Sequence, residues 1–201
     1  MNAPLSRNRL LVRGLQGASS LVLTGSIAGS FVRSASAATI PDADLAYARL
    51  LVGAELLALD FYTQAIAANQ FGGDATKIMK RAYFNEQEHY AAVSGILTGA
   101  AQTPAGPADF DFAYPAKTFD SKGSIVKLAV ELETTFVGAY LGAVDALQTS
   151  ALKLPVARIA ASEAQHLGAF TQLAGGDPVG ISFPNALTID DVSNVLDTYT
   201  S

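Results

Sequence analysis

Two histidines are all that this chain of 201 residues contains, and each stands three residues after a glutamate: Glu86-Gln87-Glu88-His89 and Glu163-Ala164-Gln165-His166. Glutamate is itself scarce, present only as Glu55, Glu86, Glu88, Glu131, Glu133 and Glu163. Chance would put a Glu at that position roughly 3% of the time for one histidine, and for both on the order of one time in a thousand. On a helix, residues three apart share a face with Cβ atoms about 5–6 Å apart, so a carboxylate and an imidazole can reach one ion. Two such pairs therefore ask for two helices turned toward a common interior, and they suggest a two-metal site.

The rest of the chain supplies the helices. Apolar residues recur at helical spacing from about Asp42 to Asn69, behind Pro41 in a favoured first-turn position. Phe71-Gly72-Gly73-Asp74 breaks that run, and Asp74 is a natural N-cap for a second helix over about Ala75 to Leu97. A third helix is expected over Ile125 to Thr149 and a fourth from Pro155 to Leu173, stopped by Gly175-Gly176-Asp177-Pro178. A short last helix is expected over about Ile189 to Tyr199. Strand-like alternation is nowhere sustained, so the class is all-α. The links between helices one and two and between three and four are short, which makes each pair an antiparallel hairpin. The link from Thr98 to about Ser121 holds Pro104, Pro107 and Pro115, and at roughly 25 residues it is long enough to cross the length of a bundle.

Periodicity also sorts the glutamates. Glu55 has Leu51, Val52, Ala58 and Leu59 as its helical neighbours, and Glu163 has Ile159, Ala160, His166 and Leu167. Glu86 has Ala82, Tyr83, His89 and Tyr90, while Glu133 has Ala129, Val130, Phe136 and Val137. These four point inward; Glu88 and Glu131, in mixed surroundings, point to solvent. A charge on an apolar face costs free energy unless it is paired or bound to metal. Four inward carboxylates balance the charge of two divalent ions, and without any cysteine the donors are oxygen and nitrogen alone. Such a set suits iron or manganese.

The chain thus resembles the ferritin-like superfamily of carboxylate-bridged di-metal proteins, which includes ferritins, bacterioferritins and rubrerythrins. The resemblance covers about residues 42–174 and rests on Glu55, Glu86-x-x-His89, Glu133 and Glu163-x-x-His166. Ala54-Glu55-Leu56 before Asp60-Phe61-Tyr62, and Ala139-Tyr140-Leu141-Gly142-Ala143 after Glu133, look most like its exported bacterial and desiccation-associated branch. The resemblance implies a four-helix bundle of two antiparallel hairpins with a long crossover between helices two and three, followed by a tail over 175–201 with the short C-terminal helix. It implies two iron ions, with manganese as the alternative, held by Glu55, Glu86, His89, Glu133, Glu163 and His166. Glu86 and Glu163 would bridge, Glu55 with His89 would complete one coordination sphere, and Glu133 with His166 the other. Each ring would give its second nitrogen to an acceptor, for which Asn85 and Asp60 are candidates. Tyr62 and Tyr140 lie two turns past Glu55 and Glu133, either as redox-active neighbours of the site or as ordinary core tyrosines, the more common case.

The first 37 residues differ from the remainder of the chain. They carry Arg7, Arg9, Arg13 and Arg33, no acidic residue, then an apolar stretch and Ser34-Ala35-Ser36-Ala37-Ala38. That order reads as a signal peptide over 1–37 ahead of a ferritin-like domain over 38–201. Ser6-Arg7-Asn8-Arg9-Leu10-Leu11 resembles a twin-arginine export signal with Asn8 splitting the arginine pair. Gly, Ser and Thr interrupt the apolar stretch, which argues against stable membrane insertion once the leader is removed. Its removal leaves nine basic against eighteen acidic residues, about −9, which excludes a phosphate-backbone partner. The expectation is a periplasmic or otherwise extracytoplasmic protein whose partners are metal ions and oxygen or peroxide. It would oxidise Fe(II) or reduce oxygen or peroxide under oxidative or desiccation stress. The alternative is a non-catalytic stress-protective or metal-sequestering protein, and self-association into a homo-oligomer stays open.

Overall fold

The computed structural model describes residues 40–200. The expected leader over 1–37 lies outside them. Five α-helices follow in order: α1 (Asp42–Ala67), α2 (Gly73–Gly99), α3 (Lys122–Ala146), α4 (Ser150–Leu173) and α5 (Ile189–Tyr199). Among the described residues there is no strand, only an isolated antiparallel bridge between Phe112 and Thr200. α1 packs chiefly on α2 and α3 on α4, so the chain forms the two expected hairpins, with α5 laid against α1 and α3.

α1 is apolar enough to span a membrane by composition, with a mean hydropathy of 1.4 over its best window, yet 67% of that window is buried in the bundle. Its apolarity is that of a central core helix. Leu50, Leu51, Leu57, Phe61 and Tyr62 are at most 2% exposed and pack with Leu132, Tyr140, Leu152 and Phe170 of the second hairpin.

Helix ends differ from expectation where local chemistry is more specific than breaker spacing. The left-handed residue that ends α1 is Asn69 (φ 53°), and α2 begins at Gly73 with Gly72 as its N-cap. Asp74 sits inside the first turn, where its carboxylate accepts from Lys77 at 2.8 Å. α3 begins at Lys122 because Ser121 caps it, its hydroxyl accepting from Ser124 N at 3.1 Å. α4 begins five residues before Pro155, which lies inside the helix. The buried carboxylate of Asp44, on α1, explains that early start: it accepts from Gln148 N (2.9 Å) and Thr149 N (2.8 Å), just ahead of α4. An acceptor from another helix thus satisfies backbone donors at the turn between α3 and α4.

The crossover is held down by aromatic residues. Tyr114 and Phe119 pack around Phe61, with ring centroids 5.3–6.0 Å apart. The Tyr114 hydroxyl lies 2.9 Å from Asp60 Oδ2 and 3.3 Å from Leu57 O, both on α1. Beyond α4, Gly175 (φ 86°) turns the chain, which returns along α3. There Leu187 N donates to Gly138 O at 2.9 Å. A Cβ at Gly142 would overlap the Leu187 carbonyl, so only glycine lets the returning segment lie this close.

Candidate metal centre

Glu55, Glu86, Glu133 and Glu163 each sit near the middle of a helix of 24 to 27 residues. Mid-helix placement puts all four at one level, about 20 Å from the bundle ends at 1.5 Å per residue. They are 0–2% exposed, and His89 and His166 are 8% and 6% exposed. Glu88 and Glu131 face solvent, as their neighbours require. The six inward residues meet in two groups: Glu55, Glu86, His89 and Glu163, and Glu86, Glu133, Glu163 and His166. Within each group one donor atom per residue lies within 4.8 Å of the others. Glu86 and Glu163 belong to both.

Both rings turn Nδ1 inward. His89 Nδ1 lies 2.8 Å from Glu163 Oε1, 3.1 Å from Glu86 Oε2 and 4.0 Å from Glu55 Oε2. His166 Nδ1 lies 2.9 Å from Glu86 Oε1, 2.9 Å from Glu163 Oε2 and 3.6 Å from Glu133 Oε1. One Nδ1–H cannot serve three oxygens. Glu55 Oε2, Glu86 Oε1, Glu133 Oε2 and Glu163 Oε1 are accordingly left without an aligned donor although they are buried. Each glutamate thus keeps one orphaned buried oxygen in a cluster whose donor atoms crowd together, the pattern that a cation would satisfy.

The outer contacts complete the arrangement. The Tyr62 hydroxyl donates to Glu133 Oε1 and the Tyr140 hydroxyl to Glu55 Oε1. Each tyrosine thus reaches across to the glutamate of the opposite hairpin, and the one two turns back on its own helix is not its partner. Asn85 also reaches His166, but it turns its side-chain nitrogen Nδ2 to the ring, 2.9 Å from Nε2, so the ring rather than the amide accepts in this arrangement. Asp60 does not serve a histidine: its carboxylate takes Tyr114 and Gln64 instead, because it lies on the flank of α1 that faces the crossover.

Burial and mutual contact pull the ionisation of these groups in opposite directions. Burial, reinforced by the charge of Glu86, raises Glu55 well above the usual carboxylate range, and burial also raises Glu133. Burial opposes ionisation of Glu86 as well, yet the imidazoles of His166 and His89 beside its two oxygens bring it below that range. Burial disfavours a charged His89 ring, but the carboxylate oxygens of Glu163 and Glu86 beside its Nδ1 outweigh it and push the pKa up to about 11. His166 is likewise raised, the carboxylates of Glu133, Glu163 and Glu86 around its Nδ1 overcoming burial.

A family profile described as a ferritin-like domain matches residues 43–176, about two thirds of the chain. A search of curated proteins finds no match. The matched stretch contains all six residues of the cluster and both hairpins, and it stops short of the returning tail and α5. By fold, by the level and burial of its carboxylates and by this match, the chain belongs to the ferritin-like domain family.

Proposed function

We propose that the protein is a di-iron carboxylate oxidase, with manganese as the alternative metal, acting on Fe(II), oxygen or peroxide. The observation that carries this reading is the pair of four-residue groups sharing Glu86 and Glu163, since shared carboxylates hold two ions close enough to act together. Glu55 with His89 would complete one position and Glu133 with His166 the other, each through Nδ1. Bound iron would supply paired one-electron chemistry toward oxygen or peroxide. The four carboxylates neutralise two divalent ions, so the occupied centre is uncharged in a dry interior. Tyr62 and Tyr140 keep Glu133 and Glu55 turned inward, and their own burial, ahead of the charges of those glutamates, holds both hydroxyls protonated. They close the α1 and α3 side against water, each at most 1% exposed.

The leader motif supports export and work outside the cytoplasm, with stress protection as the setting. Near-complete burial of the cluster favours one second reading, a metal-sequestering protein with little turnover. Elemental analysis of protein from its native compartment, joined to stopped-flow assays with Fe(II) and peroxide, separates these. About two iron per chain with rapid Fe(II) oxidation supports the oxidase; two metals without turnover supports sequestration; no metal overturns both. Mass measurement of the mature N-terminus tests export, which fails if the chain still starts at Met1. Metal affinity should rise with pH, because each ring must release its Nδ1 proton to coordinate and the surrounding carboxylates raise the pKa of both rings. Calorimetric titrations in buffers of different ionisation enthalpy would read the released protons.

A further inference from the structure

Asn85 immediately precedes Glu86, and its counterpart on the other Glu-x-x-His helix, immediately before Glu163, is Ser162. The two differ in reach. The amide nitrogen Nδ2 of Asn85 lies two bonds beyond Cβ and approaches His166 Nε2 to 2.9 Å from across the α2–α4 seam. Ser162 ends at Oγ and makes no side-chain hydrogen bond among the described residues. The hydrogen bonds and ion pairs of His89 all fall on Nδ1, leaving its Nε2 without a protein partner among those residues. A neutral imidazole that coordinates through Nδ1 carries its proton on Nε2, and that N–H needs an acceptor to fix the tautomer and the ring plane. A half-turn of the Asn85 amide exchanges Nδ2 for Oδ1 at the same place and would supply that acceptor.

We propose that Asn85 is a positioning residue that makes the two metal positions unequal, the one completed by Glu133 and His166 binding firmly and the one completed by Glu55 and His89 exchanging. This rests on the metal-binding reading above. The tight position has a ring locked on both nitrogens; the other ring is held by its inward contacts alone. The asymmetry is set by one residue pair, Asn85 against Ser162, inside a cluster whose ligands are otherwise matched helix for helix.

The test is titration of the metal-free full-length protein with Co(II), followed by visible absorption and calorimetry. The wild-type protein should take up two ions in separable steps. Asn85→Ser, which makes the two helices alike, should weaken the tighter step about 10- to 100-fold and leave the other within about twofold. Asn85→Asp, which keeps an acceptor, should preserve both steps. Ser162→Asn should tighten the weaker step and narrow the gap. In the Co(II)-loaded protein, proton NMR should show one slowly exchanging, strongly shifted ring N–H that Asn85→Ser removes. Unchanged steps in Asn85→Ser, or equal weakening of both, would overturn the proposal. If Asn85→Ser does not fold, the Ser162→Asn titration decides: an unaltered gap between steps sinks the idea. Failure of the wild-type protein to bind any metal would instead sink the functional reading on which it rests.

Discussion

The two hairpins do the same work with the same inner residues and are braced by different outer ones. In each, a glutamate helix carries a tyrosine seven residues further on and is followed by a Glu-x-x-His helix. The tyrosines cross over, Tyr62 to Glu133 and Tyr140 to Glu55, so each hairpin stabilises the other's carboxylate. Outside that layer the likeness ends. Hairpin one is braced by the crossover, through Tyr114 on Asp60 and the rings around Phe61. Hairpin two is braced by the returning tail, with Leu187 seated against Gly138 and Gly142. The charge requirement of the interior enforces repetition, whereas any packing that holds the helices at the right separation suffices outside.

The strongest way to break the comparison is to remove what the hairpins share. Glu86→Ala/Glu163→Ala should abolish metal uptake at both positions, from about two ions per chain to none by elemental analysis. Circular dichroism should show the helices retained. If one ion remained, the two shared glutamates would not be equivalent partners of both groups.

Next in size is the brace of hairpin two. Gly142→Ala drives a methyl into the Leu187 carbonyl and should cost about 1–3 kcal/mol in urea unfolding. Crossed hydrogen bonds come next: Tyr62→Phe and Tyr140→Phe should each weaken one metal step by about tenfold, and by similar amounts if the halves are matched. A large effect from only one of them, read by Co(II) titration, would show that the crossing is not reciprocal in energy. The smallest effect belongs to the brace of hairpin one. Tyr114→Phe removes a hydroxyl from Asp60 while leaving the ring stack, and should lower stability by about 1 kcal/mol with metal stoichiometry unchanged.

Much of this architecture is legible from residue order. Apolar periodicity separates Glu133 from Glu131 and Glu86 from Glu88, because a side chain's face follows from helical geometry alone. α5 falls at Ile189–Tyr199 as expected, since Thr188 and Asp191 form a local capping box. Asp44 is not legible in this way. It reads as one more first-turn acid, and its role at the start of α4 depends on a residue more than a hundred positions away. Asp60 meets a tyrosine rather than the expected histidine for the same reason. Its sequence neighbours say nothing of Tyr114, which the crossover delivers from 54 residues downstream.

The sequence by itself determined that there would be four long helices in two hairpins, and that four carboxylates and two imidazoles would face inward. Both follow from short-range rules, the period of the helix and the cost of burying charge. Only the tertiary structure decided which partners meet: Tyr62 with Glu133 and Tyr140 with Glu55, Asn85 on one ring only, and Leu187 in the glycine notch. Those pairings depend on how helices distant in sequence are set side by side, and a hydrogen bond resolves differences of a few tenths of an ångström that no periodicity encodes.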